Sequence, residues 1–334
     1  MEYSYRQMPY RPLGHSGLKV PNVGLGTWKF GYPHKQDGSR VDPRTAFAIF
    51  ERALELGVCF WDTANRYNQG SGNSERVIGQ WFTSHPSSRR EVVLATKMAG
   101  EMDGTTPNHA GLSRINILES VYASLERLKT DYIDLLYFHN PGDPDTPPEE
   151  SLEAVEDLVR QDLVRYFALS NYTSGQLADM LRLSEGISRR CRPIAVQNQF
   201  DILSGENAKY PGVFSYCASH GLSFVAWSPL AGGLLTGRYN QPQLAGAGDR
   251  LFDEGALAKI PAGQFEKVRA LSRLAEELEL SLTQLTLAYM LTLPGSGPVI
   301  PGASTVAQLE DNARAGKVTL SAEALQRVAE IVNG

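Results

Sequence analysis

The sequence predicts an α/β protein built as a (β/α)8 TIM barrel, and three observations favour that fold. Short apolar runs rich in Val, Ile and Leu alternate with longer amphipathic segments along the chain, as in parallel sheets covered on both faces. Eight such runs occur with no linker-like stretch between them. None of the 31 glycines forms the G-x-G-x-x-G turn of a doubly wound dinucleotide-binding sheet, and no P-loop is present.

Each apolar run is a predicted strand, and the segments between the runs are predicted helices. The strands are expected at residues 23–26, 58–61, 92–96, 133–138, 164–169, 194–199, 223–227 and 298–300. Apolar residues recur at helical spacing in three intervening segments. These residues are Ile115, Leu118, Tyr122, Leu125 and Leu128; Leu152, Val155, Leu158 and Val159; and Phe265, Val268, Leu271, Leu274 and Leu278. Repeated strand–helix units therefore predict one barrel domain over residues 1–334.

A β-hairpin is predicted before the first barrel strand, and two long loops are predicted at the opposite end. The segment RPLGHSGLKVP has a turn at residues 14–17, and we expect it to close the barrel floor. Residues 100–111 and 232–261 interrupt the alternation directly after predicted strands. Both loops should lie over the C-terminal mouth, where such loops usually shape substrate and cofactor sites.

Composition restricts the classes of function. The net charge is −5 without a long basic run, which disfavours nucleic acid as a partner. Cys59, Cys191 and Cys217 are odd in number and far apart, which argues against a disulfide framework or a zinc knot and favours a reducing compartment. No signal-peptide pattern and no stretch of about 18 apolar residues occurs, so we expect a soluble, cytoplasmic protein without a membrane partner. The periodicity of the sequence does not determine the oligomeric state, and a homo-oligomer is possible.

Four polar side chains follow predicted strands and carry the chemistry. Asp62, Tyr67, Lys97 and His139 lie in WDTANRY, VVLATK and LLYFHN, so the barrel should gather them at one mouth. A phenol with a pKa near 10 holds its proton too tightly for neutral pH, and a nearby ammonium should lower that pKa. A carboxylate would keep the ammonium charged, and an imidazole would orient a carbonyl oxygen. The set predicts carbonyl reduction by hydride transfer, with Tyr67 as the proton donor.

Each of these residues also has a commoner explanation when it is considered alone. Lys97 is consistent with a structural ion pair, since such networks also perturb pKa values. His139 is consistent with a hydrogen-bonded core histidine, and Tyr67 with a packed aromatic residue. The catalytic prediction rests on all four occurring together at the ends of predicted strands.

Eight segments spread over nearly the whole chain resemble, in order, those of the aldo-keto reductase superfamily. They are VPNVGLGTW, FWDTANRYNQGSGNSERVIGQW, VLATK, YIDLLYFHNP, VRYFALSNY, VQNQFD, WSPLAGGLLTGRY and VIPGASTVAQLEDN. The resemblance implies a (β/α)8 barrel that binds NADPH without a Rossmann turn. It also implies that Tyr67 is the general acid in reduction, that Asp62 holds Lys97 beside Tyr67, and that His139 orients the carbonyl.

The resemblance further implies a set of cofactor-binding residues. Ser170, Asn171 and Gln197 would grip the nicotinamide carboxamide, and Trp227 would lie on the nicotinamide face. The full set is Gly26, Thr27, Trp28, Asp62, Ser170, Asn171, Gln197, Trp227, Ser228, Pro229, Leu230, Gly232, Arg238, Arg250, Gly302, Ser304, Gln308, Asp311 and Asn312. Of these, residues 228–232 would follow the pyrophosphate and residues 302–312 the adenosine half. Without the resemblance, the pairs at 170–171 and 304–305 would be interpreted as ordinary helix caps.

The sequence departs from the family pattern at the adenosine end. Many members carry a Lys and an Arg there to neutralise the 2′-phosphate, and the aligned residues here are Gly302 and Gln308. Arg238 and Arg250 in the preceding loop would supply the charge instead, as in the branch that includes potassium-channel β subunits. That branch also has a Trp at the position of Trp227. We therefore expect NADPH as the cofactor, with NADH possible.

Two functions remain open, and two others are disfavoured. The first is an NADPH-dependent reductase of aldehydes or ketones; the alternative is an NADP(H)-binding regulatory or redox-sensing subunit with little turnover. A metal-dependent hydrolase is disfavoured because only His139, of six histidines, follows a predicted strand, and no metal is expected. A short-chain dehydrogenase is disfavoured because no Tyr precedes a Lys by four residues. The substrate is expected to be a small carbonyl compound of unassigned identity.

Overall fold

A three-stranded antiparallel sheet begins the chain. The computed structural model describes residues 3–102, 106–142, 144–241, 243 and 245–334. The first strands are β1 (Tyr3–Tyr5), β2 (Met8–Pro12) and β3 (Lys19–Pro21), and β2 lies between the other two. The pairing of β2 with β3 confirms the predicted hairpin, while β1 is a strand that the apolar pattern does not indicate.

Eight parallel strands among the described residues form the predicted barrel. They are β4 (Leu25–Gly26), β5 (Phe60–Asp62), β6 (Val93–Met98), β7 (Ile133–Phe138), β8 (Val164–Ser170), β9 (Ala195–Asp201), β11 (Ser223–Trp227) and β12 (Ser296–Val299). Their hydrogen-bonded order follows the chain, and β10 (Gly205–Glu206) pairs only with β9 as an antiparallel extension. Parallel bridges of Val23 with Val299 and of Gly26 with Gly302 join the first strand to the last. The barrel prediction is confirmed; that residues 1–334 form one domain stays a prediction.

Helices surround the barrel and connect its strands. They are α1 (Pro43–Glu55), α2 (Tyr67–Gly70), α3 (Asn73–Ser84), α4 (Arg114–Leu128), α5 (Pro148–Arg160), α6 (Ser174–Ile187), α7 (Val213–His220), α8 (Arg250–Asp253), α9 (Ala262–Glu277), α10 (Leu282–Thr292), α11 (Val306–Ala315) and α12 (Ala322–Asn333). Local sequence sets several boundaries. Asp42 accepts hydrogen bonds from the backbone at the start of α1, and Thr173 with Gln176 forms a capping box on α6.

The hairpin closes the N-terminal end of the barrel, as predicted. Leu13 and Val20 are fully buried in a cluster with the inward side chains Phe60, Leu135 and Val225. The turn lies directly under the strands, since the backbone amide of residue 14 donates to the Oγ of residue 223 at 2.8 Å. Burying each aliphatic side chain contributes about 1.5–3 kcal/mol, so the hairpin stabilises the barrel floor.

One predicted helix face is partly wrong: Leu128 is buried and Leu118 and Leu125 pack against the core, but two other residues are exposed. Ile115 and Tyr122 on α4 are 46% and 50% exposed, whereas Ile117 and Val121 are fully buried. The buried face of α4 also includes small serines, and Gly79 of α3 lies against the α4 backbone, where a side chain would clash. The close packing of α3 against α4 therefore requires small residues. A search for periodic apolar residues does not detect a helix face made of such small residues. The apolar faces predicted for α5 and α9 are confirmed by their buried residues.

The predicted loops follow the C-terminal ends of their strands. The loop after β6 includes residues 103–105, and the loop after β11 includes residues 242 and 244, all of which lie outside the described residues. The described part of the second loop contains α8. Cys59, Cys191 and Cys217 are buried free thiols. None of the described helices combines the length and the apolarity needed to cross a membrane.

Candidate active site

Asp62 ends β5 and faces the barrel interior. Side chains alternate along a strand, so the residues on either side of Trp61 point the same way. Trp61 packs outward, with its ring 4.4 Å from that of Phe50 on α1, whereas Phe60 belongs to the interior cluster. Asp62 therefore points inward at the mouth, where it is 1% exposed. The backbone carbonyl of Asp62 accepts from the amide and the hydroxyl of Thr27, both at 2.9 Å.

Lys97 lies on β6 and uses all three protons of its ammonium group. Its Nζ donates to Asp62 Oδ1 at 2.5 Å, to the backbone oxygen of Thr63 at 2.8 Å and to Tyr67 Oη at 2.7 Å. An ammonium has three donors, so its hydrogen-bonding capacity is filled. The side chain is 1% exposed, and a charge buried to that extent is tolerated only when it is paired and hydrogen-bonded.

The hydroxyl of Tyr67 accepts a hydrogen bond from Lys97, so its own proton is left for another acceptor. Asp62 Oδ1 is 3.4 Å from Tyr67 Oη, which is longer than an ordinary O–H···O bond. Tyr67 is held by the turn that follows it. Asn68 and Gln69 have φ of 57° and 64°, and Asn68 Nδ2 donates to the backbone oxygen of Phe30 at 2.6 Å.

The pKa values differ from the sequence-based expectation. Burial, with the Asp62 carboxylate adding to it, raises the pKa of Tyr67 well above its ordinary value, so the predicted lowering is wrong for this structure. Burial also lowers the pKa of Lys97, an effect that Asp62 opposes. Tyr67 is therefore protonated at neutral pH, as a proton donor must be. The ammonium of Lys97 lies 2.7 Å from the phenolic oxygen, where a positive charge favours the phenolate form.

His139 follows β7 and lies beside Tyr67. The centroids of the two rings are 5.9 Å apart, with an angle of 74° between the ring planes. The backbone amide of His139 donates to the carbonyl of Met98, which ties it to the end of β6. Burial lowers the pKa of His139 to about 3, and the positive charges of Lys97 and Arg66 make smaller contributions in the same direction. The imidazole is therefore neutral at physiological pH and can donate one hydrogen bond.

The residues predicted to grip the nicotinamide join the same network. Gln197 Nε2 donates to Asp62 Oδ2 at 2.8 Å, and Ser170 Oγ donates to the Gln197 backbone oxygen at 2.8 Å. Asn171 Nδ2 donates to the backbone oxygen of His139 at 2.9 Å, and Trp227 Nε1 donates to Asn171 Oδ1 at 3.2 Å. The ends of β8, β9 and β11 are thus bonded to the ends of β5 and β7.

Sequence reasoning missed the hydroxyl group that organises this edge. Ser74 Oγ lies 2.9 Å from the Oγ1 atoms of Thr27 and Thr63 and donates to the backbone oxygen of Thr27. Its neighbour Glu75 is fully buried, with Arg127 Nε 2.7 Å and Thr96 Oγ1 2.6 Å from its carboxylate. In the sequence, the signal for the buried pair of Glu75 and Arg127 is a carboxylate that falls on the apolar face of α3.

The loop after β11 contains several residues with left-handed backbone conformation. Ser228, Ala231, Gly232 and Gly233 all have φ between 49° and 106°. The amides of Ala231 and Gly233 donate to the carbonyls of Ser228 and Leu230, at 2.9 and 2.8 Å, and so close a tight turn. A side chain at position 232 would meet Leu251, which explains the glycine there. The predicted pyrophosphate-binding role of residues 228–232, Pro229 and Leu230 included, stays a prediction.

At the predicted adenosine end, the polar groups bond within the chain. The amide and hydroxyl of Ser304 both donate to Gln308 Oε1, at 2.7 and 2.9 Å. Asp311 accepts from Ser281 and Gln284 on α10, and Asn312 Nδ2 donates to the Gly302 carbonyl at 3.3 Å. Their predicted cofactor contacts are not tested by these bonds.

The two arginines predicted to neutralise the 2′-phosphate are already paired with carboxylates. Arg238 lies 2.5 Å from Asp249, and Arg250 lies 3.1 Å from Glu254 with its guanidinium 4.6 Å from the ring of Trp28. In the described ranges, neither arginine bonds to the residues at 302–312. Each guanidinium keeps N–H donors that its ion pair does not use, so a role in phosphate binding stays a prediction.

The fold and this network together define a barrel with a buried, hydrogen-bonded group of Asp62, Lys97 and Tyr67 at its C-terminal mouth. Within the same described portion of the chain, no three His, Cys, Asp or Glu side chains cluster as metal ligands would. Residues 22–333 match the sequence profile of the aldo/keto reductase family, and the chain belongs to that family.

Named relatives span nearly the full length of the chain. The uncharacterized oxidoreductase YrpG of Bacillus subtilis is 36% identical over 342 residues, which cover 100% of this chain and 97% of that protein. The aldo-keto reductase AMT2 of Alternaria alternata is 31% identical, with 96% and 90% covered. A probable voltage-gated potassium channel subunit beta of Arabidopsis thaliana is also 31% identical, with 92% and 91% covered. Family membership supports an oxidoreductase function in general.

Proposed function

We propose that this protein reduces an aldehyde or ketone to an alcohol with NADPH, and that Tyr67 supplies the proton. One observation carries the proposal: Lys97 donates a hydrogen bond to Tyr67 Oη, and the phenolic proton has only a long contact, 3.4 Å, with Asp62 Oδ1. The family and the relatives named as oxidoreductases support the same class of reaction.

The residues at the mouth fit a nicotinamide cofactor. Ser170, Asn171 and Trp227 form one bonded group beside His139, and the half-buried indole of Trp227 offers a flat apolar surface. The loop at 228–233 would follow the pyrophosphate, and the glycines at 232 and 233 would let the backbone approach it closely. When bound, NADPH supplies a hydride to the carbonyl carbon.

The protein's own residues would direct the proton to the carbonyl oxygen. Neutral His139 would donate a hydrogen bond to that oxygen and orient it, which stabilises negative charge as it develops. Tyr67 would then release its proton to the oxygen as a general acid. Lys97 would stabilise the resulting phenolate, and Asp62 holds the ammonium in place through the 2.5 Å contact.

An activity screen tests the proposal. NADPH and NADH oxidation is measured across a panel of aldehydes, ketones and keto-sugars, with cofactor binding followed by fluorescence. We expect turnover of at least one carbonyl class with NADPH. Cofactor binding without turnover across the panel would contradict the proposal.

A second function follows from the relatives named as potassium channel subunits beta. Under that alternative, the barrel binds NADP(H) as a regulatory or redox-sensing subunit with little turnover. The same screen separates the two functions, because the alternative predicts tight NADPH binding with slow oxidation by every carbonyl compound. The hydrogen-bonded network of Asp62, Lys97 and Tyr67 favours the reductase function over the regulatory one.

Replacing Arg250 tests the cofactor preference. We expect Arg250→Ala to raise the Kd for NADPH about tenfold and to change the Kd for NADH less than about twofold, because only NADPH carries the 2′-phosphate. Fluorescence titration with both cofactors measures the change. Arg327→Ala, which removes an exposed arginine paired with Glu277, is the matched control. Equal weakening of both cofactors by Arg250→Ala would remove Arg250 from the phosphate site.

A further inference from the structure

Arg66 is a charged residue at the mouth that the proposed mechanism does not use. It directly precedes Tyr67 and is exposed. Its guanidinium lies across the end of β6, where a Cβ added to Gly100 would be 2.6 Å from Arg66 Cδ and 2.7 Å from Nη1. Gly100 is two residues beyond Met98, whose carbonyl accepts from the backbone amide of His139. Arg66 therefore lies on the side of the mouth formed by Tyr67 and His139.

The other basic residues around the mouth are paired with carboxylates. Lys29 and Arg250 both contact Glu254, and the Lys29 ammonium also lies 3.9 Å from the ring centroid of Trp28. Arg40 lies 3.0 Å from Asp253. In contrast, the guanidinium of Arg66 forms no hydrogen bond or ion pair with any described residue. Within the part of the chain that the structure describes, its five N–H donors thus have no acceptor and could bind an incoming group.

The positive charge of Arg66 also reaches the reacting centre. It is one of the charges that lower the pKa of His139, after burial and Lys97. A charge felt at that imidazole is close enough to act on a substrate whose carbonyl contacts His139. An arginine binds carboxylates and phosphates in a bidentate geometry, which gives it both affinity and orientation for such groups.

We propose that the substrate is a short aldehyde or ketone that carries a carboxylate or phosphate group, and that Arg66 binds this anionic group. The inference rests on the proposed reductase function and specifies its substrate class. Few bonds separate the carbonyl from the anionic group, because Arg66 lies over Gly100 at the end of β6 and its charge acts on His139, which would orient the carbonyl.

Paired substrates with and without the anionic group test the proposal. The carboxylate pair is 4-oxobutanoate and its methyl ester; the phosphate pair is glyceraldehyde 3-phosphate and glyceraldehyde. With wild-type protein and NADPH, we expect kcat/KM to be about 10- to 100-fold higher for the charged member of at least one pair. The pair that shows the preference identifies the anion as carboxylate or phosphate.

Three variants connect the preference to Arg66. Arg66→Met should remove the preference and change kcat/KM for the uncharged member less than about threefold, while Arg66→Lys should keep part of it. Gly100→Ala retains the arginine but places a methyl group where the guanidinium lies, so it should weaken the preference as well. Arg76→Met, which removes an exposed arginine on α3, is the control.

The outcomes separate this inference from the proposed function. Reduction of the uncharged carbonyls without a preference for either anion would overturn the inference and leave the reductase function standing. Equal losses of kcat/KM for both members of a pair in Arg66→Met would also overturn it. Absence of NADPH oxidation with all four compounds, together with a negative carbonyl panel, would reject both.

Discussion

Tyr67→Phe is expected to lower kcat for carbonyl reduction by about 1,000-fold while NADPH still binds. General acid catalysis by a positioned side chain typically contributes a factor of this order. The variant removes the hydroxyl that accepts from Lys97 at 2.7 Å and keeps the ring that packs beside His139. Steady-state kinetics with a carbonyl substrate measures the loss, and fluorescence titration measures cofactor binding.

The control for this variant is a hydroxyl at the opposite end of the barrel. Tyr10 in the hairpin donates to the backbone oxygen of Gly57 at 3.2 Å, so Tyr10→Phe removes a comparable group far from the mouth. We expect Tyr10→Phe to retain the wild-type kcat. Retention of wild-type turnover by Tyr67→Phe would reject Tyr67 as the acid, whatever the behaviour of the control.

Lys97→Met is expected to lower both the stability and the activity. It leaves the Asp62 carboxylate buried without its partner, and breaking a buried ion pair in this way costs about 3–5 kcal/mol of unfolding free energy. In the protein that remains folded, kcat should fall about 100-fold, because the phenolate of Tyr67 loses its hydrogen-bond donor. Urea unfolding and kinetics at low temperature measure the two effects.

Two further variants show whether the loss comes from the unpaired carboxylate. Asp62→Asn combined with Lys97→Met removes both charges and should recover part of the stability. Arg327→Met breaks an exposed ion pair of similar length, 2.6 Å, and should change the unfolding free energy by less than about 1 kcal/mol. A cost for Lys97→Met no larger than that of Arg327→Met would show that the pair is not buried as described.

The barrel could be predicted because its strands are apolar on both faces and separated by amphipathic helices. Most predicted strands match the structure within two residues, and β7 and β11 match at both ends. The three exposed residues of β1 carry no apolar signal, so the sequence does not indicate that strand. The buried face of α4 escaped prediction because Ser120 and Ser124 were selected for close packing and not for hydrophobicity.

The four proposed catalytic side chains could be located because they lie at or after the C-terminal ends of strands, which a parallel barrel brings to one mouth. Their electrostatics could not be predicted, because the pKa of Tyr67 depends on its burial in three dimensions. The contacts of Ser74 and the availability of Arg66 depend on the course of segments outside the strands. Such contacts leave no periodic pattern in the sequence.

The pH dependence of single-turnover NADPH oxidation by a carbonyl substrate tests the central claim most directly, because it excludes product release. Reduction requires a protonated acid. Tyr67, whose pKa lies above its ordinary value, keeps its proton, and His139, whose pKa is about 3, stays neutral. We therefore expect a constant rate from about pH 5 to about pH 8. A rate that falls with an apparent pKa of about 6.5 would instead identify a histidine as the acid and contradict the assignment of Tyr67.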